Sequence, residues 1–208
     1  MKKRILCFGD SNTWGYIPVT KQRYGELERW PGILAEKLGD TYAVIEEGMN
    51  GRTTAFTDRI KPDVCALDYI YPCLLSQFPL DYIIVMLGTN DTKDRYHVRA
   101  EEIALGMTEV ILRLKDVCMR KEQRPQILIM SPPMMHFQHD WMEFSEASVE
   151  KLSRLHREYQ QIAQVQKCEY LNAAEVVGND GVGSDGIHML PLGHQRLAEA
   201  VYNKLFEQ

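Results

Sequence analysis

The chain alternates short apolar runs, rich in Ile, Val and Leu, with longer segments whose apolar residues recur every three or four positions. A short run without polar alternation is the pattern of a strand covered on both faces, and helical spacing between such runs supplies the covers. That alternation points to the α/β class, with a parallel sheet between helices. The runs Arg4 to Phe8, Tyr42 to Glu46, Tyr82 to Leu87, Gln126 to Met130 and Cys168 to Leu171 predict five strands. Trp30 to Leu38, Val64 to Ser76, Ala100 to Lys121, Ser145 to Val165 and Leu192 to Phe206 predict helices. In the third of these, Ile103, Leu105, Met107, Val110, Ile111, Leu114 and Val117 form a stripe expected to face the core. Right-handed crossovers between five such strands give a three-layer α/β/α sandwich. No linker, repeat or low-complexity tract interrupts residues 1–208, so a single domain is expected.

Composition narrows the partners. The chain is 45% hydrophobic and 25% charged, as ordinary globular proteins are, with a formal charge of -5 that lacks the basic excess nucleic acid requires. No apolar run approaches the roughly 18 residues of a membrane helix, and Ile5 to Phe8 is too short for a signal-peptide core, so a cytoplasmic protein with no membrane partner is expected. The five cysteines, at 7, 65, 73, 118 and 168, show neither CxxC spacing nor nearby histidines. They read as reduced, mostly buried thiols, and no metal is expected.

In open parallel sheets the working groups collect in loops beyond the carboxyl ends of the strands. Those loops hold Gly9-Asp10-Ser11-Asn12, Gly48-Met49-Asn50-Gly51-Arg52, Gly88-Thr89-Asn90-Asp91 and, near the chain end, Asp185-Gly186-Ile187-His188. A serine hydroxyl becomes a nucleophile when a histidine takes its proton and a carboxylate orients that histidine. Ser11, His188 and Asp185 supply all three groups, and the three-residue spacing lets Asp185 reach Nδ1 of His188 while Nε2 faces Ser11. Acyl transfer also needs donors for an oxyanion, which the side-chain amide of Asn90 and the backbone at Gly51 are placed to supply. Each turn has a bland reading as a cap or bend, but four independent turns rarely assemble one complete reaction.

The blocks Phe8-Gly9-Asp10-Ser11-Asn12, Gly48-Met49-Asn50-Gly51, Gly88-Thr89-Asn90-Asp91 and Asp185-Gly186-Ile187-His188 resemble, in order, those of the SGNH (GDSL-like) hydrolases. The resemblance implies a flavodoxin-like sandwich with strand order 2-1-3-4-5, Ser11 as nucleophile, Asp185 and His188 as its triad partners, and Ser11, Gly51 and Asn90 as the oxyanion site. Asn12 stands where the family's short name has Leu, and with Trp14 it is expected to touch substrate. Thr13-Trp14-Gly15, Arg52-Thr53-Thr54, Met86 to Lys93 and Ser131-Pro132-Pro133 look like the arylesterase and acyltransferase branch. That branch implies hydrolysis of short acyl esters, acetyl foremost, transfer of the acyl group to alcohols, no cofactor and homo-oligomers.

Other readings stand beside this one. A carbohydrate acetylesterase or a thioesterase would use the same residues. A flavin- or nucleotide-binding module would use the first loop as a phosphate cradle, although Asp10 would then face the phosphate. A metallohydrolase would use His136, His139 and Asp140. A member without catalysis would serve as a carbohydrate-binding module. The stretch around Trp141, Met142 and Phe144 mixes apolar anchors with His136, His139, Asp140 and Glu143, and suits either a subunit contact or a loop folded over its own core.

Overall fold

In the computed structural model, which describes residues 2–207, the apolar runs become β1 (Lys3–Gly9), β2 (Tyr42–Gly48), β3 (Tyr82–Met86), β4 (Gln126–Ser131) and β5 (Glu169–Asn172). All neighbouring pairs are parallel and the order is β2-β1-β3-β4-β5. Val85 in the central strand pairs with Phe8 on one side and Ile129 on the other.

The helices are α1 (Ser11–Trp14), α2 (Trp30–Leu38), α3 (Ala66–Gln77), α4 (Ala100–Arg120), α5 (Glu146–Gln166), α6 (Ala173–Val177) and α7 (Pro191–Phe206). Because side chains alternate along a strand, Leu6 and Phe8 face one layer and Ile5 and Cys7 the other. The first group packs with Val85, Ile129 and the apolar faces of α3, α4 and α5, and the second with Ile84, Leu128, α2, α6 and α7. Ile111 and Leu114 of α4 are fully buried, and truncating either to Ala removes about 2–5 kcal/mol. Leu105 corrects the expected stripe, being 65% exposed. It sits two positions from Ile103, roughly 200° around the helix, and so faces outward.

The layers place every strand's carboxyl end at one edge of the sheet. There the loop after β2 lies directly on α1, for a Cβ at Gly48 would come within 2.2 Å of the Trp14 backbone nitrogen. Gly51 follows with φ +87°, a left-handed conformation that disfavours any side chain.

Candidate active site

β1 ends at Gly9, and the Asp10 carboxylate caps α1 by accepting the Asn12 N–H at 2.9 Å. Ser11 is thereby the first helical residue at the sheet edge. The segment 178–190, between α6 and α7, arrives at the same edge as a narrow antiparallel turn: Val182 bridges Met189, and the Gly183 N–H donates to the His188 carbonyl at 2.7 Å. Within it Asp185 Oδ1 accepts the N–H groups of Ile187 and His188, each at 3.0 Å. The other oxygen, Oδ2, lies 2.6 Å from His188 Nδ1, and His188 Nε2 lies 2.9 Å from Ser11 Oγ. A carboxylate accepts and does not donate, so it holds the proton on Nδ1 and leaves the Nε2 lone pair toward the hydroxyl. Burial opposes ionisation of Asp185, but the bond from His188, its charge and the two N–H donors outweigh it and hold the carboxyl below its ordinary value. The Tyr16 ring lies tilted against the His188 ring with centroids 4.4 Å apart.

The facing loop follows β3. Asn90 is 6% exposed, and its Nδ2 donates one hydrogen to the Arg52 carbonyl at 3.1 Å, leaving the second for another acceptor. Arg52, itself buried, lies over the Phe8 ring at 4.2 Å and donates through Nη1 to the carbonyls of Gly9 and Glu47. Arg52 thus ties the ends of β1 and β2 through its guanidinium and holds the loop bearing Asn90 through its carbonyl. Below, Asp91 Oδ1 accepts the Thr54 N–H at 2.8 Å and its hydroxyl at 2.5 Å. Burial raises Asp10 and Asp91 to about 6 each, partly countered at Asp10 by the Asn12 N–H, His188 and Arg52, and at Asp91 by Thr54.

These loops surround a cavity of about 370 Å³ that contains Ser11, Gly51, Asn90 and His188. Tyr16, Phe144 and Ile187 form its apolar wall; Asn50, Lys61, Lys93 and Glu143 form the polar one. Glu143 is held by three cations: Lys93 at 3.3 Å, Lys61 at 3.6 Å and Arg95 at 2.6 Å. Burial lowers the Lys93 ammonium despite that partner. A larger hollow of about 610 Å³, lined by Arg4, Phe78 and Asp81 among others, lies at the opposite end of the strands and contains no hydroxyl or imidazole.

A model of the GDSL-like lipase/acylhydrolase family matches residues 7–196. The chain belongs to this family. A carbohydrate acetylesterase from Sinorhizobium meliloti shares its fold with a TM-score of 0.91 at 36% identity, covering 98% of each chain. An aryl esterase from M. smegmatis gives 0.88 at 37% identity, covering 98% of this chain and 100% of that one. An acetylxylan esterase from Xylanibacter ruminicola is 24% identical over 213 residues, covering 95% of this chain, which spans 42% of that relative's length. The sheet order is that of the α/β/α fold of SGNH hydrolases.

In this GDSL-like hydrolase Ser11, Asp185, His188, Gly51 and Asn90 meet at one edge, whereas Asn12 and Trp14 do not line the cavity. The Asn12 side chain is buried and spent on the backbone beside His188. Trp14 turns aside, the Arg23 guanidinium lying 5.4 Å from the centroid of the indole ring, and Tyr16 occupies the wall instead. Lys93, Glu143 and Phe144 have no sequence signal of their own as pocket residues, since a lysine or glutamate in a polar loop is ordinarily solvated.

The segment around Trp141 is folded over its own core. Trp141 and Phe144 pack against the layer of α3, α4 and α5, while Met142 is 98% exposed. Among the described residues no group of three His, Cys, Asp or Glu side chains is placed to hold a metal ion, so His136, His139 and Asp140 do not form the centre a metallohydrolase needs. Four of the five cysteines are buried, all five are unpaired, and burial raises the thiol of each, which makes them poor nucleophiles. No helix among the described residues is long and apolar enough to cross a membrane.

Proposed function

We propose that the chain is a serine esterase that cleaves short acyl esters, acetyl esters foremost, through an acyl-enzyme on Ser11. The observation that carries this reading is the continuous chain from Asp185 through His188 to Ser11, with links of 2.6 and 2.9 Å, at a cavity that also presents Gly51 and Asn90. His188 Nε2 takes the hydroxyl proton as Ser11 Oγ bonds to the ester carbonyl carbon, and Asp185 holds the imidazolium that forms. The oxyanion faces the free N–H of Asn90 and the backbone N–H groups of Ser11 and Gly51. Collapse breaks the bond to the alcohol, which leaves with the proton from Nε2. Water, deprotonated by the same nitrogen, then releases the acid and restores Ser11, or a second alcohol takes the acyl group in its place.

Alcohol and acyl group share about 370 Å³, closed on one side by Phe144 and Ile187, which favours short acyl chains. Ser11→Ala, assayed on 4-nitrophenyl esters from acetate to octanoate, tests this. Loss of kcat by roughly 10⁴-fold on acetate, with octanoate turned over far more slowly than acetate by the unsubstituted enzyme, supports the reading. An active Ser11→Ala enzyme contradicts it.

A second reading, an acetylated carbohydrate as the ester, is favoured by the polar wall. Asn50, Lys61, Lys93 and Glu143 offer both donors and acceptors to the hydroxyls of a sugar leaving group, and two of the similar proteins carry names of that chemistry. Its test is kcat/KM on acetylated xylo-oligosaccharides beside phenyl acetate. The reading also places the enzyme in the cytoplasm, in keeping with its unpaired thiols, as a homo-oligomer in which a second copy covers the exposed Met142. Light scattering reads the mass, and a monomer contradicts the assembly alone.

A further inference from the structure

Asn12 is 2% exposed, and both ends of its carboxamide engage the segment that carries His188. Nδ2 donates to the Ile187 carbonyl at 3.3 Å, and Oδ1 accepts the Met189 N–H at 2.9 Å. The peptide groups before and after His188 are therefore held by one side chain. Turning the amide over would set oxygen against oxygen and N–H against N–H, so the pairing fixes its orientation. Asn12 is itself anchored, for its own N–H donates to Asp10 Oδ1 at 2.9 Å.

We infer that Asn12 is a positioning residue that sets the distance between His188 Nε2 and Ser11 Oγ, an assignment that rests on reading Ser11 and His188 as the reacting pair. Asp185 orients the ring, but it belongs to the same short segment as His188 and moves with it. Among the described residues, the hydrogen bonds that join α1 to segment 178–190 are the two from the Asn12 amide and the Ser11–His188 bond itself. The nucleophile and the clamp on its base are consecutive residues of one short helix, so a displacement of α1 carries both together. A leucine fills a similar volume but has neither donor nor acceptor. It would leave the Ile187 carbonyl and the Met189 N–H unpaired and remove the side-chain hold of α1 on the segment.

Asn12→Leu and Asn12→Ala test the assignment. Active sites are counted by labelling to completion with a fluorophosphonate probe, and kcat and KM for 4-nitrophenyl acetate are expressed per labelled site. Loss of positioning at a reacting pair lowers kcat per site by about 10- to 100-fold and leaves KM within about two-fold. Amide exchange at Met189 accelerates in both variants while the amides of β3 keep their protection. A role confined to packing lowers the number of labelled sites and leaves kcat per site unchanged. A kcat per site within about two-fold of the unsubstituted enzyme in either variant therefore overturns the proposal. Unsubstituted enzyme that turns over the ester without labelling at Ser11 overturns the underlying catalytic reading instead.

Discussion

Trp141 donates its indole N–H to the carbonyl oxygen of Asp185 at 2.8 Å. The His136 N–H donates likewise to the Gly186 carbonyl at 2.8 Å, so the segment after β4 braces the turn that presents the carboxylate and imidazole. Trp141→Phe keeps a ring among Phe137 and Phe144 and removes one hydrogen bond. The loss is about 0.5–1.5 kcal/mol, and felt at the proposed triad it lowers kcat roughly 2- to 10-fold with KM unchanged. Steady-state kinetics on 4-nitrophenyl acetate check this. An unchanged kcat with lowered thermal stability makes the contact a packing matter only.

Asn90→Ala removes the side-chain donor while leaving the backbone of its loop in place. The expected fall in kcat is about 10²–10³, with KM nearly constant, because the bond strengthens as charge builds on the oxygen. A large rise in KM with kcat intact makes Asn90 a ground-state contact.

Asp91 is fully buried with its carboxyl raised from 3.8 to about 6 by desolvation, and Thr54 pairs with only one of its oxygens. Between those values the folded state holds a proton that the unfolded chain has lost. The raised carboxyl therefore favours folding below about pH 4, and that contribution disappears as pH rises through about 6. Asp91→Asn has no charge to bury, so its stability relative to the parent improves from pH 4 to pH 8 by up to about 3 kcal/mol. Urea unfolding at pH 4, 6 and 8 measures the trend, and a difference independent of pH contradicts it.

Lys93 is 2% exposed at its side chain and faces Glu143 at 3.3 Å. Glu143→Gln leaves that ammonium buried without its counter-charge and is expected to destabilise by about 1–3 kcal/mol, less than a fully buried pair because Glu143 is one-third exposed. Lys93→Met, which removes the buried charge itself, costs less. Chemical denaturation of both variants gives the order, and the reverse order shows that Lys93 is solvated through the cavity.

Much of this arrangement was legible in residue types and spacing. The helix Trp30–Leu38 matches its expected limits, and the strands differ from theirs by one or two residues at an end. Such boundaries depend on hydrogen bonds that periodicity does not report. The short α1 and α6 lack enough turns to show a helical period. Ser11, His188, Asp185, Asn90 and Gly51 stood out because each occupies a strand-end loop and each is a residue type acyl transfer needs. Adjacency to Ser11 does not say which way the Asn12 side chain turns; its amide turns toward the backbone of Ile187 and Met189. Glu143 and Phe144 reach the cavity through a fold-back of the segment after β4 that no local pattern encodes, and there meet Lys93 of the loop after β3.

Rapid quenching of the enzyme during turnover of 4-nitrophenyl acetate tests directly for the proposed covalent acyl-enzyme on Ser11. Peptide mass mapping of the quenched protein should find one acetyl group on the peptide containing Ser11, formed with a burst of 4-nitrophenolate equal to the enzyme present and missing from Ser11→Ala. Acetyl carried by a different residue, or full turnover without any acetylated peptide, would rule out Ser11 as the nucleophile.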